Sequence, residues 1–115
     1  LAGTRAEEGC VIERLPERAH VIEGPACAAN AWQAPGWRGR PRGEENDGRR
    51  TGLSTVAARL DPPFTWLKPP VLNPLTRLAL VADAASGRIV AQGYEAEVPV
   101  TAVLVTSAAA PAGAG

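Results

Sequence analysis

Cys10, His20 and Cys27 are the side chains of this 115-residue chain whose types most readily coordinate a metal. Structural zinc takes four ligands, usually with closely spaced cysteine pairs. This sequence has two cysteines in all, no Cys-x-x-Cys pair and a single histidine. It therefore carries no expected metal site and calls for no cofactor. The two thiols are expected to stay reduced and to pack as small apolar groups. A Cys10–Cys27 disulfide is geometrically conceivable, but no secretory leader supports it. Trp32 and Trp37 flank a Pro35-Gly36 turn. Such a pair can grip a ligand from a loop, although folding back onto a neighbouring sheet is the preferred expectation. The chain has no glycine-rich phosphate loop, no Gly-x-Ser-x-Gly and no His-x-Glu followed by paired cysteines. Phosphate-loop, serine-hydrolase and zinc-deaminase chemistry have no residues here to run on.

Composition narrows the classes further. Twelve basic and twelve acidic residues cancel to a formal net charge of zero. No basic excess favours nucleic acid and no acidic tail favours a solvating role. Lys68 is the only lysine; the other basic residues are arginines. The longest apolar run, Leu78–Ala82, is far shorter than the roughly 20 residues a membrane-spanning helix needs. No membrane span and a cytoplasmic location are therefore expected. The absence of methionine, even at position 1, is expected of a fragment rather than of an intact product.

These residues need elements to position them. Cys10–Leu15 and Ala19–Glu23 have β-type content, with Leu15-Pro16-Glu17-Arg18 as the connection between them, and predict a short hairpin. Positions 24–50 hold Pro25, Pro35, Pro41 and the charged run RGRPRGEENDGRR. That composition predicts a long loop over Gly36–Thr51. Leu53–Leu60 alternates partially and predicts a strand; Phe64–Leu67 is a second β-type run. Asn73-Pro74 is a helix-start signal, because asparagine caps well and proline is tolerated at the first helical position. Leu75, Leu78, Ala79 and Ala82 then recur at helical spacing, and Ser86-Gly87 supplies a stop. This predicts a helix at Pro74–Ala85, preferred over the competing hairpin of Leu78–Asp83 with Arg88–Gln92. Glu97–Ser107, rich in β-branched residues and without glycine, predicts the clearest strand, with Pro99 near its start. The Ala- and Gly-rich stretch Ala108–Gly115 predicts a flexible tail.

Thr65-Trp66-Leu67-Lys68, the run from Pro74 to Gly87 (PLTRLALVADAASG) and Pro99-Val100-Thr101-Ala102-Val103-Leu104 share an order and rough spacing. In these three pieces the chain resembles the C-terminal half of the acyl-CoA thioesterase family with a double hot-dog fold. The resemblance covers about a third of the chain and is most specific in the Pro74–Gly87 run. It implies hydrolysis of acyl-CoA thioesters without a metal. It also implies roles for Asp83, as the carboxylate at a helix end, and Thr101, as the strand hydroxyl, in activating and placing a water. On a helix, Asp83 would lie within about 40° of Ala79, at the margin of the apolar stripe, where partial desolvation raises a carboxyl pKa. The chain departs from the family pattern at Pro99, Val103 and Val105.

Together these readings give an α+β fold: a small antiparallel sheet packed on one helix, a hot-dog-like half, with a long irregular N-terminal portion. Residues 1–52 form the loop-rich region, 53–107 the α+β segment and 108–115 the tail. The first functional expectation is a thioesterase-like protein or fragment acting on acyl-CoA. The second is a non-catalytic accessory or structural segment that wraps or pairs with a larger assembly. It is motivated by a first 70 residues poor in regular structure. A strand edge at Glu97–Thr106 would be a liability in a monomer, so a protein partner or self-association is expected.

Overall fold

The computed structural model describes residues 3–56 and 64–107. The fold is α+β, with two antiparallel sheets and, among the described residues, one short α-helix. The first sheet is the hairpin expected from the sequence: β1 (Cys10–Leu15) pairs with β2 (Arg18–Glu23) from Cys10↔Glu23 to Leu15↔Arg18. The second is built on β4 (Arg88–Glu95). On one side lies β3 (Leu78–Asp83). On the other lie the short β5 (Val98–Pro99) and β6 (Leu104–Ser107), which follow one another along the same edge of β4.

The expected helix at Pro74–Ala85 is replaced by the competing hairpin. Its start signal works locally but launches no helix. Asn73 Oδ1 accepts from Leu75 N–H at 3.0 Å, and Asn73 O from Thr76 N–H at 2.9 Å, so Asn-Pro closes a tight turn. Every residue of Leu78–Ala82 is apolar, so this stretch fits a helix or a strand equally. What decides is non-local. Ile89, Val90 and Tyr94 on β4 give the run a partner, and Leu78↔Gly93 to Asp83↔Arg88 pair in register. Gly87, at φ 68°, closes the four-residue loop by donating its N–H to Asp83 O at 2.8 Å.

The strand expected at Glu97–Ser107 is interrupted. Ala96 and Glu97 have φ of 48° and 66°, and Glu95 pairs with Val98. Positive φ at both central residues is what a type I′ hairpin turn requires. Ala-Glu carries no such turn signal, which is why the bend is invisible in the sequence. Beyond Pro99 the register along β4 changes from Tyr94↔Pro99 to Ala91↔Leu104, leaving residues 100–103 as a bulge.

The expected strand at Leu53–Leu60 is also corrected. Leu53–Val56 is the end of α1 (Asn46–Val56), and 57–60 lie outside the described residues. The expected Gly36–Thr51 loop therefore gives way to helix at Asn46. Asn46 anchors that start: its Oδ1 accepts from Asn30 N–H at 2.7 Å, while its Nδ2 donates to Arg42 and Gly43 carbonyls. No residue of α1 is buried. It rests on the chain through its glycines: a Cβ at Gly48 or Gly52 would sit 3.3 Å from Pro70 Cγ or Val71 Cγ2.

Phe64–Leu67 is a turn rather than a strand, with Leu67 N–H donating to Phe64 O at 3.1 Å. This segment covers one face of the second sheet. Phe64 and Leu67 are buried against Ala79, Val90 and Tyr94, with Trp66, Val71, Leu72, Val81 and Val103 around them. The expected tail at Ala108–Gly115 lies outside the described residues.

Candidate functional site

Asp83 sits at the end of β3, on the hairpin turn. Its Oδ1 accepts from Ala85 N–H at 3.0 Å and its Oδ2 from Ser86 Oγ at 2.7 Å. The Ser86 hydroxyl, then the Ala85 N–H, hold this exposed carboxyl below its usual range. That is the opposite direction from the raised pKa expected of a desolvated carboxylate on a helix margin. The physical reason is the turn: two donors favour the charged form, and nothing covers it.

Thr101 lies in the bulge. Its Oγ1 accepts from Gly93 N–H at 2.9 Å and donates to Ala102 O at 2.8 Å, while Thr101 O accepts from Gln92 Nε2 at 3.0 Å. The hydroxyl takes the place of a ladder carbonyl where the bulge has displaced one. Gly93 is needed for this approach, since a Cβ there would lie 2.9 Å from Thr101 Cγ2. Asp83 faces Arg88 and Thr101 faces Gly93, five residues further along β4. At about 3.3 Å per residue the two are separated by roughly 16 Å along β4 alone, and they lie on opposite flanks of it, so no single water touches both.

Asp83 also makes a pH-dependent prediction. A carboxyl whose folded pKa is depressed stabilises the turn above its unfolded pKa. That contribution is lost as pH falls through the folded value. The Ala85 amide and Ser86 resonances are expected to titrate with a midpoint below the ordinary aspartate range. Asp83→Asn should remove that titration.

Among the described residues, His20, Cys10 and Cys27 are not brought together as a group of metal ligands. Cys10 and Cys27 form no disulfide, and no group of three metal-ligating side chains comes together among the described residues. The His20 ring instead packs at 6.4 Å from Trp37, which also lies under the Arg18 guanidinium at 5.5 Å. Trp37 thus folds back onto β2, as expected, and Trp32 meets it edge-on at 5.3 Å. The turn between them has Trp37 N–H donating to Ala34 O and Gly36 at φ 75°, the type II pattern with proline before glycine. A groove of about 500 Å³ beside β1 has Trp32 and Arg14, Arg40 and Arg42 in its lining.

The sequence did not single out Glu13. It is buried on β1 at 7% exposure. Its two carboxylate oxygens accept from Gln33 N–H at 2.6 Å and Ala34 N–H at 2.7 Å. It therefore ties the loop to the hairpin. Glu13 is the one glutamate of β1, next to Arg14, and only the twenty-residue return of the chain to Gln33 and Ala34 distinguishes it.

The feature with the clearest functional content is the second sheet's other face. Cross-strand register puts Leu78, Leu80 and Ala82 of β3, Ile89, Ala91 and Gly93 of β4, and Leu104 of β6 on the side away from the Phe64 cluster, with Thr106 at the margin opposite Ile89. Leu78 is 60% exposed, Leu80 50% and Leu104 64%. Scattered exposed apolar residues are ordinary, but a contiguous apolar sheet face is not. The β3 edge adjoins it. Tyr94 N–H donates to Arg77 O at 2.9 Å, which fixes the ladder's phase. Ala79, Val81 and Asp83 therefore bond to β4, and the N–H and C=O groups of Leu78, Leu80 and Ala82 point away from the sheet. Among the described residues, no strand pairs with that edge. The opposite edge, where the sequence reading placed the liability, is blunted by Pro99 and the bulge. Between Arg77 and Asp83 the β3 edge has no proline, charge or bulge.

No protein-family model, no characterised protein and no solved structure matches the chain. Among the described residues, no helix is long and apolar enough to cross a membrane.

Proposed function

We propose that this chain is a non-catalytic pairing module, which joins a protein partner through β3 and the apolar sheet face beside it. The observation that carries this is a sheet apolar on both faces and covered on one. Antiparallel sheets that face water normally alternate apolar and polar sides. Two further facts agree. The radius of gyration is 16.3 Å, against about 13 Å for a compact domain of this length. Eleven large apolar side chains are exposed, while six apolar residues are buried among the described residues, so the chain's own core leaves much apolar surface open. The same proposal carries the cytoplasmic location expected from the sequence.

Hydrolysis of acyl-CoA, the activity the family resemblance implies, would require Asp83 and Thr101 to share a water. Their oxygens serve the hairpin turn and the bulge instead. The pairing proposal is therefore favoured over the thioesterase one. The test combines both. Leu78→Lys with Leu80→Lys should abolish association of the purified chain while its thermal melt stays within about 1 kcal/mol of the parent, because both side chains are already exposed. Neither protein should hydrolyse a panel of acyl-CoA esters. Hydrolysis by the parent that Asp83→Asn removes would overturn the proposal, as would association that the lysines leave untouched.

A further inference from the structure

Resting on that pairing role, we infer that the partner of β3 is β3 of a second copy, in one antiparallel register centred on Leu80. The argument is charge and hydrogen-bond complementarity. β3 with the residue before it reads Arg77-Leu-Ala-Leu-Val-Ala-Asp83, cationic at one end, anionic at the other and apolar between. Both end residues are exposed. Reversed on itself about a twofold axis, such a strand is complementary to its own copy.

The ladder's phase selects the register. The outward-pointing backbone groups belong to Leu78, Leu80 and Ala82, so these must form the hydrogen-bonded pairs across the new junction. Only registers that match these residues with one another satisfy this. Centring on Leu80 pairs Leu80 with Leu80 and Leu78 with Ala82 in both directions. The same centring sets Arg77 of each copy opposite Asp83 of the other, as non-hydrogen-bonded pairs, where side chains approach most closely. Sliding by two residues either way keeps the backbone pairing but leaves both charges without their partners. The two sheets then form one continuous sheet through the axis.

The other strand edges are poorer templates. β5 and β6 are separated by the bulge and carry Pro99. The β1–β2 hairpin carries Glu13, Arg14, Arg18 and Glu23 along its length.

Sedimentation equilibrium of the full chain with charge-exchange variants tests this register. The parent should dimerise. Arg77→Asp alone and Asp83→Arg alone each turn two attractive contacts into two repulsive ones and should each weaken the dimer about tenfold. An equimolar mixture of the two variants restores both opposite-charge contacts in the heterodimer and should recover parental affinity. That recovery also answers any loosening of the turn by Asp83→Arg, since a misfolded variant would not be rescued. A parent that dimerises with no response to either charge change overturns the register. A parent that stays monomeric, with an intact thermal melt, overturns the self-pairing. Failure of the register is separable from failure of the pairing role, because the Leu78 and Leu80 lysine variants still decide that role in a parent that associates; a monomeric parent overturns the self-pairing and with it the association those variants read.

Discussion

Phe64→Ala is expected to cost about 3–4 kcal/mol and to abolish the cooperative melt of the second sheet. Phe64 is 5% exposed and lies beneath the sheet with Leu67, Ala79, Val90 and Tyr94, its ring meeting Trp66 edge-on at 5.8 Å. Small domains hold only about 5–15 kcal/mol in reserve, and this one buries few side chains. Losing its one phenylalanine leaves a cavity that the connection at 64–72 cannot close without leaving the sheet. Thermal unfolding followed by far-ultraviolet circular dichroism checks it. Leu75→Ala, at an 82% exposed position, should leave the melt unchanged. Equal melts for both variants would show that the Phe64 cluster is not the core.

Glu13→Gln is expected to release the loop that carries Trp32 and Trp37, at a cost of about 1–3 kcal/mol. The carboxylate presents two acceptors to the N–H groups of Gln33 and Ala34. An amide presents one acceptor and turns an NH2 toward the other N–H, leaving a buried donor opposed by a donor. Charge-assisted bonds of this kind are the stronger ones, so a neutral isostere is not conservative here. The readout is tryptophan emission. Trp37 leaves its packing on His20 and Arg18, and its emission shifts to the red. The Phe64 cluster under the second sheet contains no residue of the β1–β2 hairpin, so that sheet should keep its own transition.

What the sequence reveals depends on how local the deciding interaction is. The β1–β2 hairpin and the Pro35-Gly36 turn were legible because their signals lie within a few residues. Asn73-Pro74 was legible as a chain reversal but misleading as a helix start, since the same asparagine oxygen that caps a helix also closes a turn. The apolar run at Leu78–Ala82 has no period of its own, and only pairing with Arg88–Gly93 makes it a strand. The bend at Ala96-Glu97 is imposed on residues that favour negative φ, so it leaves no mark in the sequence. Of the site, Asp83 and Thr101 stand out in the sequence as the candidate catalytic pair, but both are exposed, one on a turn and one in a bulge. Their separation along β4 could not be seen without the hairpin register. The two-faced apolar sheet was half visible: the expectation of a partner at a strand edge stands as a proposal, with the edge moved from Glu97–Thr106 to β3.

Amide hydrogen exchange along β3, followed as protein concentration is raised, tests the pairing role most directly. In the isolated chain the N–H groups of Ala79 and Val81 bond to β4 and should exchange slowly, while those of Leu78, Leu80 and Ala82 point outward and should exchange fast. On pairing, Leu78, Leu80 and Ala82 should become protected together, with Leu80 at the centre, and the lysine variants should lose that protection. Fast exchange at these three amides at every concentration, in a chain whose Ala79 and Val81 remain protected, would contradict the role assigned to β3.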